Sequence, residues 1–172
     1  MDASVAVETG APLDSGGSDA CFSDAGSETI NVPACGYNPA SSVRSYRGGV
    51  LMTVKGVLLN NASEAEDAFY YFSTNDQTNP LGQCPDCIHY SRVSEGSCVC
   101  LNYPQCPSHR LSDLLAEPYP AFSPTHEYTV KLDLGANPDE RLNFGMSDCG
   151  CDDNSGALVV SLSPQGGTAC GP

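Results

Sequence analysis

Between Ser147 and Leu162 the chain reads SDCGCDDNSGALVVSL, which sets Asp148, Asp152, Asp153 and Asn154 among two cysteines and then turns into an apolar alternation. Two carboxylates about 4 Å apart repel by roughly 4 kcal/mol at an effective dielectric of 20. A free loop would splay. This one lies between two expected strands, RLNFGM and ALVVSLS, and carries two cysteines that can anchor it. Held together, such oxygens suit a hard cation, and Ca²⁺ takes about six to eight of them. The spacing is not that of an EF-hand, which would want Gly at Asp153 and Glu at Val159. The same residues also make an ordinary solvated hairpin turn. Asp67, just before the aromatic run AFYYF, is a further candidate ligand from another strand.

The second chemistry-bearing group is the set of ten cysteines: Cys21, Cys35, Cys84, Cys87, Cys98, Cys100, Cys106, Cys149, Cys151 and Cys170. Cys84-Pro-Asp-Cys87 has the spacing of a redox pair, but the IHYSRVS that follows is β-branched and aromatic rather than the helix that would lower a thiol pKa. Cys84, Cys87, His89, Cys98, Cys100 and Cys106 contain enough donors for zinc, though in no common finger spacing. Disulfides are the preferred reading, because an even, high cysteine count in a short chain fits an oxidising compartment. Cys98/Cys100 and Cys149/Cys151 sit two apart in extended chain, near the bridging limit, so each is expected to pair outward. His89, His109 and His126 are scattered, and no HExxH, GxSxG or phosphate loop is present. The chain is therefore expected not to be an enzyme.

The elements that must position these groups are short strands. GVLMTVKGVLL sets Val50, Met52 and Val54 against Leu51, Thr53 and Lys55, with a bulge expected at Gly56. EYTVKLDLG places Tyr128, Val130, Leu132 and Leu134 on one face, and RLNFGM does the same with Leu142, Phe144 and Met146. DAFYYFS and ALVVSLS complete five strands, while LSDLLAEPY is the one helical candidate, stopped by Pro118. The pattern predicts an all-β antiparallel sandwich of jelly-roll type over residues 30–164, stapled by disulfides. Residues 81–107 read as a cysteine-rich insert stapled because it cannot build a core, and residues 165–172 as a tail tethered by Cys170. Residues 1–29 carry six acids and no Lys or Arg, and read as a flexible acidic leader.

Charge narrows the partners. With 21 acids against 7 bases the 172-residue chain has net charge −14, which argues against nucleic acid and anionic membrane. No apolar run reaches the length of a membrane span. The opening MDASVAVETGAPLDSGG has neither a basic start nor an apolar core, so a mature exported fragment is expected, extracellular or at a bacterial outer surface or periplasm.

LNFGMSDCGCDDNSGALVVSL resembles the C-terminal strand–loop–strand of calcium-dependent bacterial galactose-binding lectins and related jelly-roll carbohydrate-binding domains. The resemblance implies that Asp148 matches the family's first ligand Asp, Asp153 and Asn154 its Asp/Asn pair, and Ser155-Gly156 the turn into the last strand. Sugar hydroxyls would then complete the Ca²⁺ shell. The gap from Asp148 to Asp153 is shorter than in those lectins and holds two cysteines, and no counterpart of the sugar-contacting loop is evident. The acidic, Gly/Ser-rich leader also resembles bacterial surface lipoproteins in composition. The expected function is calcium-dependent carbohydrate binding. The alternatives are a surface adhesion domain that contacts another protein, with calcium only rigidifying a loop, and a zinc- or thiol-dependent enzyme. Tyr70, Tyr71, Tyr90 and Tyr103 are candidate sugar-stacking rings in a chain without Trp.

Overall fold

A computed structural model describes residues 26–101, 103–136 and 139–165, and the backbone of 169–170. Strands form where apolar residues recur with period two: β1 Glu28–Pro33, β2 Ala40–Ser41, β3 Ser45–Tyr46, β4 Gly49–Lys55, β5 Leu58–Leu59, β6 Glu64–Glu66 and β7 Tyr70–Ser73. They continue as β8 Gly82–Gln83, β9 Ile88–Arg92, β10 His109–Arg110, β11 Glu127–Asp133, β12 Leu142–Met146, β13 Ser155–Pro164 and β14 Ala169–Cys170. All pairings among these strands are antiparallel. The protein is an all-β, disulfide-stapled fold.

The larger sheet runs β11-β4-β13-β5-β6-β7-β8, with β1 added on β13; the second runs β10-β9-β12-β2, and β14 pairs with β3. Val50, Met52 and Val54 point inward from β4, and Tyr128, Val130 and Leu132 from β11, as the alternation predicts. These side chains join Leu158 and Leu162 of β13 and Phe144 and Met146 of β12 in one apolar cluster. A fully buried side chain of this size contributes about 1.5–3 kcal/mol. Gly56 separates β4 from β5 at φ +123°, where a Cβ would meet the Ala157 carbonyl oxygen at 2.7 Å. That break lets β13 pair with β5 through Ser155–Gly156 and with β4 further along.

Three expectations are corrected. The first described strand starts at Glu28, inside the segment expected to be leader, where the Glu28 carboxylate accepts hydrogen bonds from the Tyr46 hydroxyl (2.8 Å) and the Val43 N–H (2.9 Å). Residues 1–25 of the expected leader, including Cys21, lie outside the described residues. LSDLLAEPY is not an α-helix: a 3₁₀ turn over Leu111–Leu114 ends when Leu115 adopts extended φ/ψ. There Leu115 bridges to Leu132, and the Ala116 N–H reaches the Lys131 carbonyl, so pairing with β11 overrides helix propensity.

The third correction concerns residues 81–107. This segment does build core. Its β9 lies between β10 and β12 with Ile88, His89, Tyr90 and Ser91 all buried. Val99 and Cys100, fully buried, cover the far face of β12, so all five β12 residues are enclosed. Gly145 permits that cover, since a Cβ there would collide with Val99.

Candidate functional site

The β12–β13 connection is held closed by its own bonds. Asp148 Oδ1 accepts the Gly150 N–H at 2.8 Å, and Asp148 Oδ2 accepts an Asn154 Nδ2 proton at 3.3 Å. Asn154 Nδ2 also donates to the Gly150 carbonyl. A Cys35–Cys151 disulfide ties the loop to the end of β1. The Asp148 carbonyl accepts the Gly36 N–H at 2.8 Å, and Ser147 bonds Leu101 and Cys87 through its C=O and N–H.

Of the expected cation ligands, Asp148 and Asn154 therefore meet, whereas Asp152 and Asp153 stand exposed on the loop. Asp67 belongs to another network. It is fully buried, its Oδ1 accepts the N–H groups of Phe69 and Tyr70 at 2.8 Å each, and its Oδ2 accepts His126 Nδ1 (2.9 Å) and the Tyr128 hydroxyl (2.6 Å). Both Asp67 oxygens accept two donors each, Asp148 is turned towards Gly150 and Asn154, and Asp152 and Asp153 face water, so the expected ligands are not gathered into one shell. This donor set does not fit the shell of about six to eight oxygens that Ca²⁺ needs. Asp67 is taken up by protein donors and lies apart from Asp148, so the two do not form a common site, and no chemistry is routed through calcium.

The cysteines divide as Cys35–Cys151, Cys84–Cys87 and Cys98–Cys106. Cys98 and Cys151 pair outward as the two-residue spacing requires. Cys100 and Cys149, expected in disulfides, are thiols side by side. Burial, with a hydrogen bond to Cys149, pushes the Cys100 thiol up to about 12. The side chain of Cys170 lies outside the described residues.

Glu66, in SEAED, carries no sequence signal that separates it from a solvated acid. It is 5% exposed on β6, with Oε2 at 2.9 Å from Cys87 Sγ and Oε1 without a partner. A bridged sulfur carries no hydrogen, so the proton in this contact belongs to the carboxyl. Burial first, then the charges of Glu64, Asp148 and Asp67, raise the Glu66 pKa to about 8 from its ordinary 4.5. Glu66, Cys84 and Cys87 place one donor atom each within 4.8 Å of one another, while His89 spends Nδ1 on Ser108 and stays outside this group. His109 faces Glu95 at 3.3 Å.

The raised pKa has a definite sign. Between pH 4.5 and 8 the folded chain keeps a Glu66 proton that the unfolded chain has lost. Stability is greatest below 4.5 and falls as pH rises towards 8, by about 3 kcal/mol at pH 7. Glu66→Gln is expected to abolish that component, so the difference in urea-unfolding free energy between variant and parent grows in the variant's favour from pH 5 to pH 8. A difference independent of pH would refute the assignment.

A different surface carries exposed aromatic rings and a groove. Tyr37 follows Gly36, which binds the Asp148 carbonyl, and Tyr103 lies two residues beyond Leu101, which binds Ser147. The two rings meet edge to face at 6.1 Å, and remain 59% and 41% exposed. Asn38, next along from Tyr37, opens a groove of about 550 Å³ shared with Pro39, Ser41, Val93, Ser97 and the buried Asn143. The Asn143 amide forms its floor, accepting from the Ser41 hydroxyl at 2.6 Å and donating to Ser91 and the Gly96 carbonyl. Tyr103 was legible among the candidate rings, whereas Tyr37 and the groove were not. Tyr70 and Tyr90 are buried. Comparison of the chain with family models, with curated proteins and with solved structures gave no match in any of the three.

Proposed function

We propose that this protein is a non-catalytic binding module of an exported surface, and that its ligand is a neutral carbohydrate. The observation that carries the reading is the uncharged groove on a chain of net charge −14, whose lining residue Asn38 directly follows the exposed Tyr37, itself packed on Tyr103. Amide and hydroxyl groups of Asn38, Ser41 and Ser97 offer both donors and acceptors to a polyhydroxylated ligand, and aromatic faces take the apolar side of a sugar ring. Three disulfides support an oxidising compartment, and among the described residues no helix is long and apolar enough to cross a membrane. The acidic hairpin serves this reading as a scaffold for the tyrosines.

A glycan array followed by isothermal titration tests it. Binding is expected to survive EDTA, and Tyr37→Ala or Tyr103→Ala to weaken it about tenfold or more. Both residues are exposed, so loss of fold does not confuse the result. Silence on every neutral glycan, or binding untouched by both substitutions, overturns the proposal. Protein-only binding through the same tyrosines would favour the adhesion alternative, which the exposed Leu101 and Val93 nearby also support.

A further inference from the structure

The three described disulfides do not have the same surroundings. Cys35–Cys151 joins residues 116 apart and Cys98–Cys106 residues 8 apart, whereas Cys84–Cys87 closes a loop of only 3. A bridge across so short a loop constrains the unfolded chain least. It is also asymmetric: Cys84 is partly exposed and Cys87 is 1% exposed. Behind the buried sulfur stands the Glu66 carboxyl at 2.9 Å, itself 5% exposed, with its second oxygen unpartnered. A purely structural bridge needs no buried acid beside one of its sulfurs, and Glu66 lowers stability at neutral pH by being there.

We propose that Cys84–Cys87 is an exchangeable disulfide for dithiol reductants, with Glu66 as proton donor to the leaving Cys87 sulfur. A thiolate of the dithiol attacks Cys84 Sγ, the sulfur open to solvent. The Cys84–Cys87 bond breaks, its electron pair goes to Cys87 Sγ, and the Glu66 proton moves 2.9 Å onto that sulfur. The second thiolate of the reductant then attacks its own bridged sulfur, releasing Cys84 as a thiolate that takes a proton from water, as does Glu66. The dithiol is oxidised to a disulfide by two electrons and the protein gains two thiols. A thiolate at the 1%-exposed Cys87, in contact with the Glu66 carboxyl, would be strongly disfavoured by burial, which is why the proton must accompany the electrons. At pH 7 Glu66 holds that proton, because its pKa lies at about 8.

The test is reduction of the oxidised full chain by limiting dithiothreitol, with acid quench, alkylation and peptide mapping of each cysteine. Cys84 and Cys87 are expected to be labelled roughly tenfold or more faster than the cysteines of the other two bridges. Glu66→Gln is expected to slow that opening roughly tenfold at pH 7, once rates are normalised to the reductant's thiolate fraction. The gap between parent and variant should close above pH 9, where the parent has lost its proton too. The idea fails if Cys98–Cys106 or Cys35–Cys151 opens as fast, or if Glu66→Gln leaves both rate and pH profile unchanged. Should the variant not fold, the order of opening in the parent decides alone.

Discussion

Replacing both Cys35 and Cys151 by Ala is expected to lower stability by about 4–5 kcal/mol, the largest effect among the three described bridges. The cause is the unfolded state. A link between residues 116 apart removes far more conformational freedom from the unfolded chain than one between residues 8 or 3 apart. The same chain-entropy relation gives about 2.5 kcal/mol for Cys98–Cys106 and about 2 for Cys84–Cys87. Double replacement avoids stray thiols next to Cys100 and Cys149. The loss is a large part of the 5–15 kcal/mol typical of a domain, and thermal melting should fall by about 15 °C. Calorimetry of the three double variants checks the ranking. If Cys98→Ala/Cys106→Ala melts as low as Cys35→Ala/Cys151→Ala, the entropic account is wrong for this fold.

Asp67→Ala should cost about 3–5 kcal/mol. The residue is fully buried and accepts four hydrogen bonds, two from the turn between β6 and β7 and two from the start of β11. These strands lie far apart along the sheet order, so Asp67 fastens the curled sheet across its own concavity. Alanine leaves the Tyr128 hydroxyl, His126 Nδ1 and two backbone N–H groups without acceptors, each a desolvation cost. Asp67→Asn keeps the acceptor for the turn but offers an amide to His126 and Tyr128, and should cost about half as much. Tyr128→Phe removes one donor and should cost about 1 kcal/mol. Urea midpoints with an unchanged slope are the measurement. Equal midpoints for Asp67→Ala and Tyr128→Phe would show that the network is not centred on Asp67.

How much of this was legible follows from which surfaces face water. β4 and β11 have one wet face, so Val50, Met52, Val54 and Tyr128, Val130, Leu132 announce themselves by alternation. β12 has none: Leu142, Phe144 and Met146 were readable, but burial of Asn143 and Gly145 depends on a segment that returns over them from residues 96–100. β9 was hidden because two of its buried residues, His89 and Ser91, are polar. At the acidic hairpin residue types predicted a compact turn, and Asp148 with Asn154 make one. They did not show that internal donors would fill the carboxylate. Glu66 was the opposite failure, since nothing in SEAED separates a buried acid from its solvated neighbours. The cysteine spacing showed that neighbours must pair outward, and left the partners to tertiary structure.

The register of β1 on β13 sets Glu28 opposite Leu162 and Pro33 opposite Ala157. Glu28 and Pro164 thus lie at one pole of the domain. Cys35, Tyr37 and the loop leading into Ser155 gather at the other, about 17 Å away along the strand. A partner seated on the tyrosine face would therefore lie a full β1 length away from Glu28.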